Sequence, residues 1–128
     1  MSSDWTIEAW MYYQNDAGFM CSAGNGYDGW WFQVDGSFIR FQTYGTPALT
    51  ATETITLSNN TWYHAVFVKE QNGTDNGTGR FYLNAVEVDN ATNFKTGFRK
   101  LKIGINRVTK NSWKGYIDEF KVYRRALN

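Results

Sequence analysis

From Trp5 to Tyr123 the chain alternates apolar and polar residues with a period of two, segment after segment, and its only proline, Pro47, falls in a connection. Side chains alternate faces along a strand, so this pattern builds half-buried strands. No stretch carries the i, i+3, i+4 spacing of an amphipathic helix. The pattern predicts strands over 5–13, 18–23, 29–35, 37–44, 53–57, 62–69, 79–84, 86–89, 99–104 and 115–124. Clusters rich in Asn, Gly, Asp and Ser separate many of them, such as Asn15-Asp-Ala-Gly18, Asp35-Gly36 and Gln71–Gly79, and these residues accept turn conformations. Short strands at this spacing pack as two antiparallel sheets in an all-β jelly-roll sandwich.

At 128 residues the chain is expected to form one domain, 1–128, with a core large enough to need no disulfide. Cys21, the only cysteine, follows Phe19-Met20 and reads as a small buried apolar residue. Thirteen basic and twelve acidic residues leave a net charge of +1 with no basic block. Nucleic-acid binding and attraction to an anionic membrane are therefore not expected. No apolar run approaches the length of a membrane span, so membrane insertion is not expected, and no segment reads as an export signal.

Alternation assigns faces. Trp5, Ile7, Ala9 and Met11 are expected in the core, with Glu8, Trp10 and Tyr12 opposite. Val34, Ile39, Phe41, Phe81 and Leu83 point inward, which turns Trp31, Gln33, Arg40, Gln42, Arg80 and Tyr82 outward. In 62–68, Trp62, His64, Val66 and Val68 face one way and Tyr63, Ala65 and Phe67 the other; with His64 read as a hydrogen-bonded core residue, Tyr63 falls outside. In the last strand Asp118, Phe120 and Val122 are expected inward, and Glu119, Lys121 and Tyr123 outward.

Six Trp, eight Tyr and nine Phe exceed what a core of this size encloses, so some rings must lie on a sheet surface. Aromatic faces stack on the C–H faces of sugars while amides and charged groups hydrogen-bond their hydroxyls. The candidate ligand-binding residues are Trp10, Trp31, Gln33, Arg40, Gln42, Tyr63, Arg80, Tyr82 and the loop residue Trp113. Glycoside hydrolysis needs two carboxyl groups facing one bond. Asp118 and Glu119 are adjacent and, on a regular strand, would point to opposite faces, so catalysis is not expected. His64 is the only histidine, which rules out a His-cluster metal site.

Several segments resemble laminin-G-like domains of the concanavalin A-like lectin/glucanase family. Trp5-Thr-Ile-Glu-Ala-Trp-Met11 is similar to the family's early strand. Trp62-Tyr-His-Ala-Val-Phe-Val68 is similar to its central strand, and Arg80-Phe-Tyr-Leu-Asn-Ala85 to a hairpin in which Ala85 stands where the family usually has Gly. Leu101-Lys-Ile-Gly104 and the final Lys114–Leu127 segment complete a match over nearly the whole chain. The resemblance implies a non-catalytic binding module with a glycan or polysaccharide ligand. A structural or adhesion module of a phage virion or cell-surface assembly, making protein contacts, is the alternative, and a hydrolase ranks third. No cofactor is required. The resemblance allows a structural calcium at Asp118, with a backbone hydrogen bond as the other reading. It also implies an extracellular, cell-surface or virion setting.

The family usually carries about twenty further residues ahead of the early strand, forming a strand that pairs with the last one; without it, 115–124 is an exposed edge. The expected cover is a second copy, giving a homodimer, or a strand from a larger assembly.

Overall fold

The computed structural model describes residues 4–14, 18–23, 30–35, 38–43, 48–51, 57–71, 77–94, 101–104 and 113–127. Ten strands follow in order: β1 (Trp5–Tyr13), β2 (Gly18–Ala23), β3 (Trp30–Asp35), β4 (Phe38–Thr43), β5 (Ala48–Ala51), β6 (Thr61–Gln71), β7 (Gly77–Leu83), β8 (Val86–Phe94), β9 (Lys102–Ile103) and β10 (Gly115–Tyr123). They form two five-stranded antiparallel sheets, ordered β10-β1-β6-β7-β8 and β5-β4-β3-β2-β9, consistent with a concanavalin A-like jelly-roll sandwich.

The core follows the alternation. Trp5, Ile7, Ala9, Met11 and Tyr13 of β1 join Tyr63, Ala65, Phe67, Phe81 and Leu83 on the inner face of the first sheet. Cys21, Ala23, Trp30, Phe32, Val34, Ile39 and Phe41 fill the facing sheet. Rings cross between the layers: Phe41 stacks on Phe67 with centroids 3.7 Å apart and planes 2° from parallel, and Trp5 stacks on Trp30 at 5.5 Å. Phe32 meets Phe81 edge-on at 5.4 Å. Burial pushes the Cys21 thiol well above its ordinary range, as befits an inert core residue.

Several boundaries depart from the sequence expectation: of 99–104 only Lys102–Ile103 is strand among the described residues, and β5 and β8 differ more. The strand beside β4 is Ala48–Ala51, immediately after Pro47, whereas alternation favoured 53–57. Of that stretch, 52–56 lie outside the described residues and Leu57 is not in a strand. An edge position explains how a strand can begin directly after a proline. β8 also runs on to Phe94, since Asn90 pairs with Arg80 and Ala91 with Gly79. Its polar, turn-like composition conceals this.

The β7–β8 hairpin closes through Asn84 and Ala85, both left-handed at φ 49° and 66°. Asn84 suits such a turn, and its Oδ1 accepts the His64 backbone N–H at 2.9 Å. Ala85 pays the Cβ penalty that glycine avoids. Ala85→Gly is therefore expected to raise stability by about 0.5–1 kcal/mol, read as a melting temperature higher by a few degrees. An unchanged or lower melting temperature would refute the strain assignment.

β10 does not stay regular. Glu8 pairs with Lys121 but Trp10 pairs with Asp118, so Glu119 and Phe120 together oppose Ala9. Glu119 adopts φ 47° in this bulge, and the Asp118 carboxylate accepts its backbone N–H at 2.8 Å. The extra residue resets the phase of the strand. Ile117 and Phe120 pack against the core, while Asp118 and Val122, both expected inward, are exposed. Beyond β10 the chain is tied to β1: the Thr6 hydroxyl donates to the Arg125 carbonyl at 2.8 Å and accepts from the Leu127 N–H at 3.0 Å.

Candidate functional site

The outer face of β10-β1-β6 gathers the exposed rings. One cross-strand row runs Tyr116–Tyr12–Trp62, with centroids 5.5 and 5.3 Å apart. The next row runs Asp118–Trp10–His64, where indole and imidazole centroids lie 4.9 Å apart. A third brings Lys121 beside Glu8. Trp10, Trp62 and Tyr116 keep 39%, 41% and 63% of their surface in water, unusual for such rings on a polar face. Trp10, Trp62, Asp118 and Glu119 line a shallow groove of about 330 Å³.

Charges frame the groove. The Lys121 ammonium lies 3.3 Å from Glu8 Oε1 and 3.4 Å from Glu119 Oε2. Its hydrogen bonds to Glu8 and then to Glu119 hold it above the usual lysine range. The Tyr123 hydroxyl donates to Glu8 at 3.2 Å, and His64 Nε2 stands 3.9 Å from the other Glu8 oxygen. Asp118 and Glu119, consecutive in sequence, both reach the groove because of the bulge. The strand-alternation argument that separated them does not hold.

The expected ligand residues divide between two surfaces. Trp10 lies in the groove, and Tyr82 and Arg80 lie further along the same face, opposite Val66 and Val68. Trp31, Gln33, Arg40 and Gln42 occupy the outer face of the other sheet, with Trp31 paired to Gln42 and Gln33 to Arg40. Arg40 Nη1 donates to Gln42 Oε1 at 3.4 Å. Trp31 and Tyr82 thus sit on opposite sides of the sandwich and do not form one site. Period-two alternation tells inside from outside but does not say which sheet a strand joins.

Four placements are corrected. Tyr63 is a core residue, 6% exposed, whose hydroxyl accepts the Ser58 N–H at 2.7 Å. His64 is consequently on the outer face beside Trp10, not in the core. Trp113 packs against the core, and its indole N–H donates to the Tyr116 carbonyl at 3.3 Å. Asp118 faces out and accepts a backbone N–H. Among the described residues no group of three or more His, Cys, Asp or Glu could hold a metal ion. Trp62, Tyr12, Tyr116, His64 and Glu119 went unassigned to a site. Strand 62–68 is apolar in both phases, which hid Trp62, and only a non-glycine left-handed residue reveals the bulge.

The family model for the concanavalin A-like lectin/glucanases superfamily matches residues 1–128. The chain belongs to this superfamily. Among solved members of the fold, a SAP-like pentraxin from Limulus polyphemus, heptameric in its crystal, superposes with TM-score 0.73 at 16% identity, covering 99% of this chain and 66% of that one. Domain 4 of AbnA, a GH43 extracellular arabinanase from Geobacillus stearothermophilus solved with arabinotriose, gives 0.72 at 22% identity, covering 99% and 63%. The botulinum neurotoxin DC binding domain, solved in complex with SialylT, gives 0.68 at 13% identity, covering 98% and 33%. This concanavalin A-like chain spans about two-thirds or less of each. No curated protein sequence matches it.

Proposed function

We propose that this chain is a non-catalytic carbohydrate-binding module whose site is the aromatic groove of Trp10 and Trp62, with Tyr12 and Tyr116 extending the platform. The observation that carries the reading is the set of exposed rings beside two carboxylates in one shallow groove. Rings offer stacking surface, and carboxylates accept hydrogen bonds from sugar hydroxyls. The arabinotriose and SialylT complexes of the similar domains support a saccharide ligand. A glycan array with and without calcium, followed by titration of the hits, tests it. No hit in either condition would overturn it.

Asp118 accepts a backbone N–H and Glu119 pairs with Lys121, so neither carboxyl is arranged as the proton donor that glycoside cleavage requires. Incubation with laminarin, agarose, carrageenan and xylan is expected to release no reducing ends. Turnover that disappears in Asp118→Asn or Glu119→Gln would refute this.

One observation favours the second reading, an assembly module. β10 stands at the end of its sheet and, among the described residues, pairs only with β1. Edge-to-edge pairing with a second copy would make a homodimer with two weak sites. Light scattering at micromolar concentration decides it, a 14.8 kDa monomer being the contrary result.

A further inference from the structure

The groove is uneven in charge. Its two indoles are bordered by Asp118 and Glu119, whose ionised carboxylates accept hydrogen bonds and donate none. Glu119 shares the Lys121 ammonium with Glu8, so among the described residues the carboxylates of Glu8, Glu119 and Asp118 have one ammonium between them. Asp118 meets none: its contact among the described residues is the Glu119 N–H at 2.8 Å. Indole faces carry a negative quadrupole and draw cations toward them. An uncompensated carboxylate beside two exposed indoles complements a ligand that is apolar on its face and positive at one substituent. It repels a ligand bearing carboxylate or sulfate.

Resting on the carbohydrate-binding reading, we infer that the Trp10–Trp62 groove selects amino sugars, glycans carrying a free ammonium group, over their acetylated and acidic counterparts. The ammonium lies against an indole and donates to Asp118, while the pyranose face stacks on the second ring. An acetamido group keeps the stacking and loses the charge. A uronate loses both the ion pair and the favourable field.

The test compares fully deacetylated chitosan tetramer, fully acetylated chitotetraose, cellotetraose and tetragalacturonate by calorimetric titration at mildly acidic pH. The deacetylated tetramer is expected to bind on the order of tenfold tighter than the acetylated one. Raising the salt should weaken the deacetylated ligand alone. Asp118→Asn keeps the shape and the acceptor for Glu119 N–H, so it should erase most of the gap between the two tetramers. Lys121→Gln, which removes the ammonium beside Glu119, should widen the gap. Equal binding of the two chitin-derived tetramers, or a gap that survives Asp118→Asn, overturns the charge selection and leaves saccharide binding standing. Failure of the deacetylated tetramer to bind overturns the charge selection, while the carbohydrate-binding reading is decided by the glycan array.

Discussion

Phe67→Ala is expected to cost about 3–5 kcal/mol of stability, the range for truncating a buried aromatic ring. Phe67 is 2% exposed, stacks at 3.7 Å on Phe41 and meets Trp5 at a tilt of 52° with centroids 5.1 Å apart, so one ring ties β6 to both β4 and β1. The cavity opens between the two sheets, where β strands held in ladders cannot easily close it. Thermal unfolding should show a midpoint lower by roughly 10–20 °C for a chain of this size. A loss below about 1 kcal/mol would mean that the layers are held chiefly elsewhere.

Trp10→Ala and Trp62→Ala are expected to act on binding. Each removes a stacking surface from the groove and should weaken a saccharide by about 1 kcal/mol or more, roughly tenfold. Each also loses a cross-strand ring contact, to His64 or Tyr12, so the melting temperature should fall by only a few degrees. Trp31→Ala, on the opposite side of the sandwich, should leave the titration unchanged. Equal loss from Trp31→Ala would move the site to the β3–β4 face, and unchanged titrations for both groove variants would remove the groove as the site.

Much of the fold was legible because a strand buried on one side writes its burial into every second residue. Trp5, Ile7, Ala9 and Met11, or Phe81 and Leu83, needed nothing beyond that rule. Strand 61–71 was harder, because Tyr63, Ala65 and Phe67 compete with Trp62, Val66 and Val68 for the inner face. Its phase is set by the partners, Ile7 opposite Phe67 and Ala9 opposite Ala65, which are distant in sequence. The exposed rings were legible in kind and not in place. Surplus aromatics announced an exposed platform, but only sheet order separates Trp31 from Tyr82. The bulge escaped as well, since Asp118-Glu119-Phe120 has the look of a regular strand until Glu119 takes φ 47°.

The antiparallel union of β1 with β10 brings the start of one strand against the end of the other, with Thr6 opposite Tyr123 and bonded to Arg125 and Leu127. A tether pulling on the two chain ends would load this seam from one end. Its hydrogen bonds lie across the strands and would part singly, as a zipper opens, instead of sharing the load as they would in shear. The Thr6 ties would go first, then the Thr6–Tyr123 and Glu8–Lys121 pairs, and the tear would reach the bulge before Trp10 and Asp118 separated. A module stretched this way would yield at low force and part Asp118 and Glu119 from the Trp10–Trp62 groove while β6, β7 and β8 remained paired.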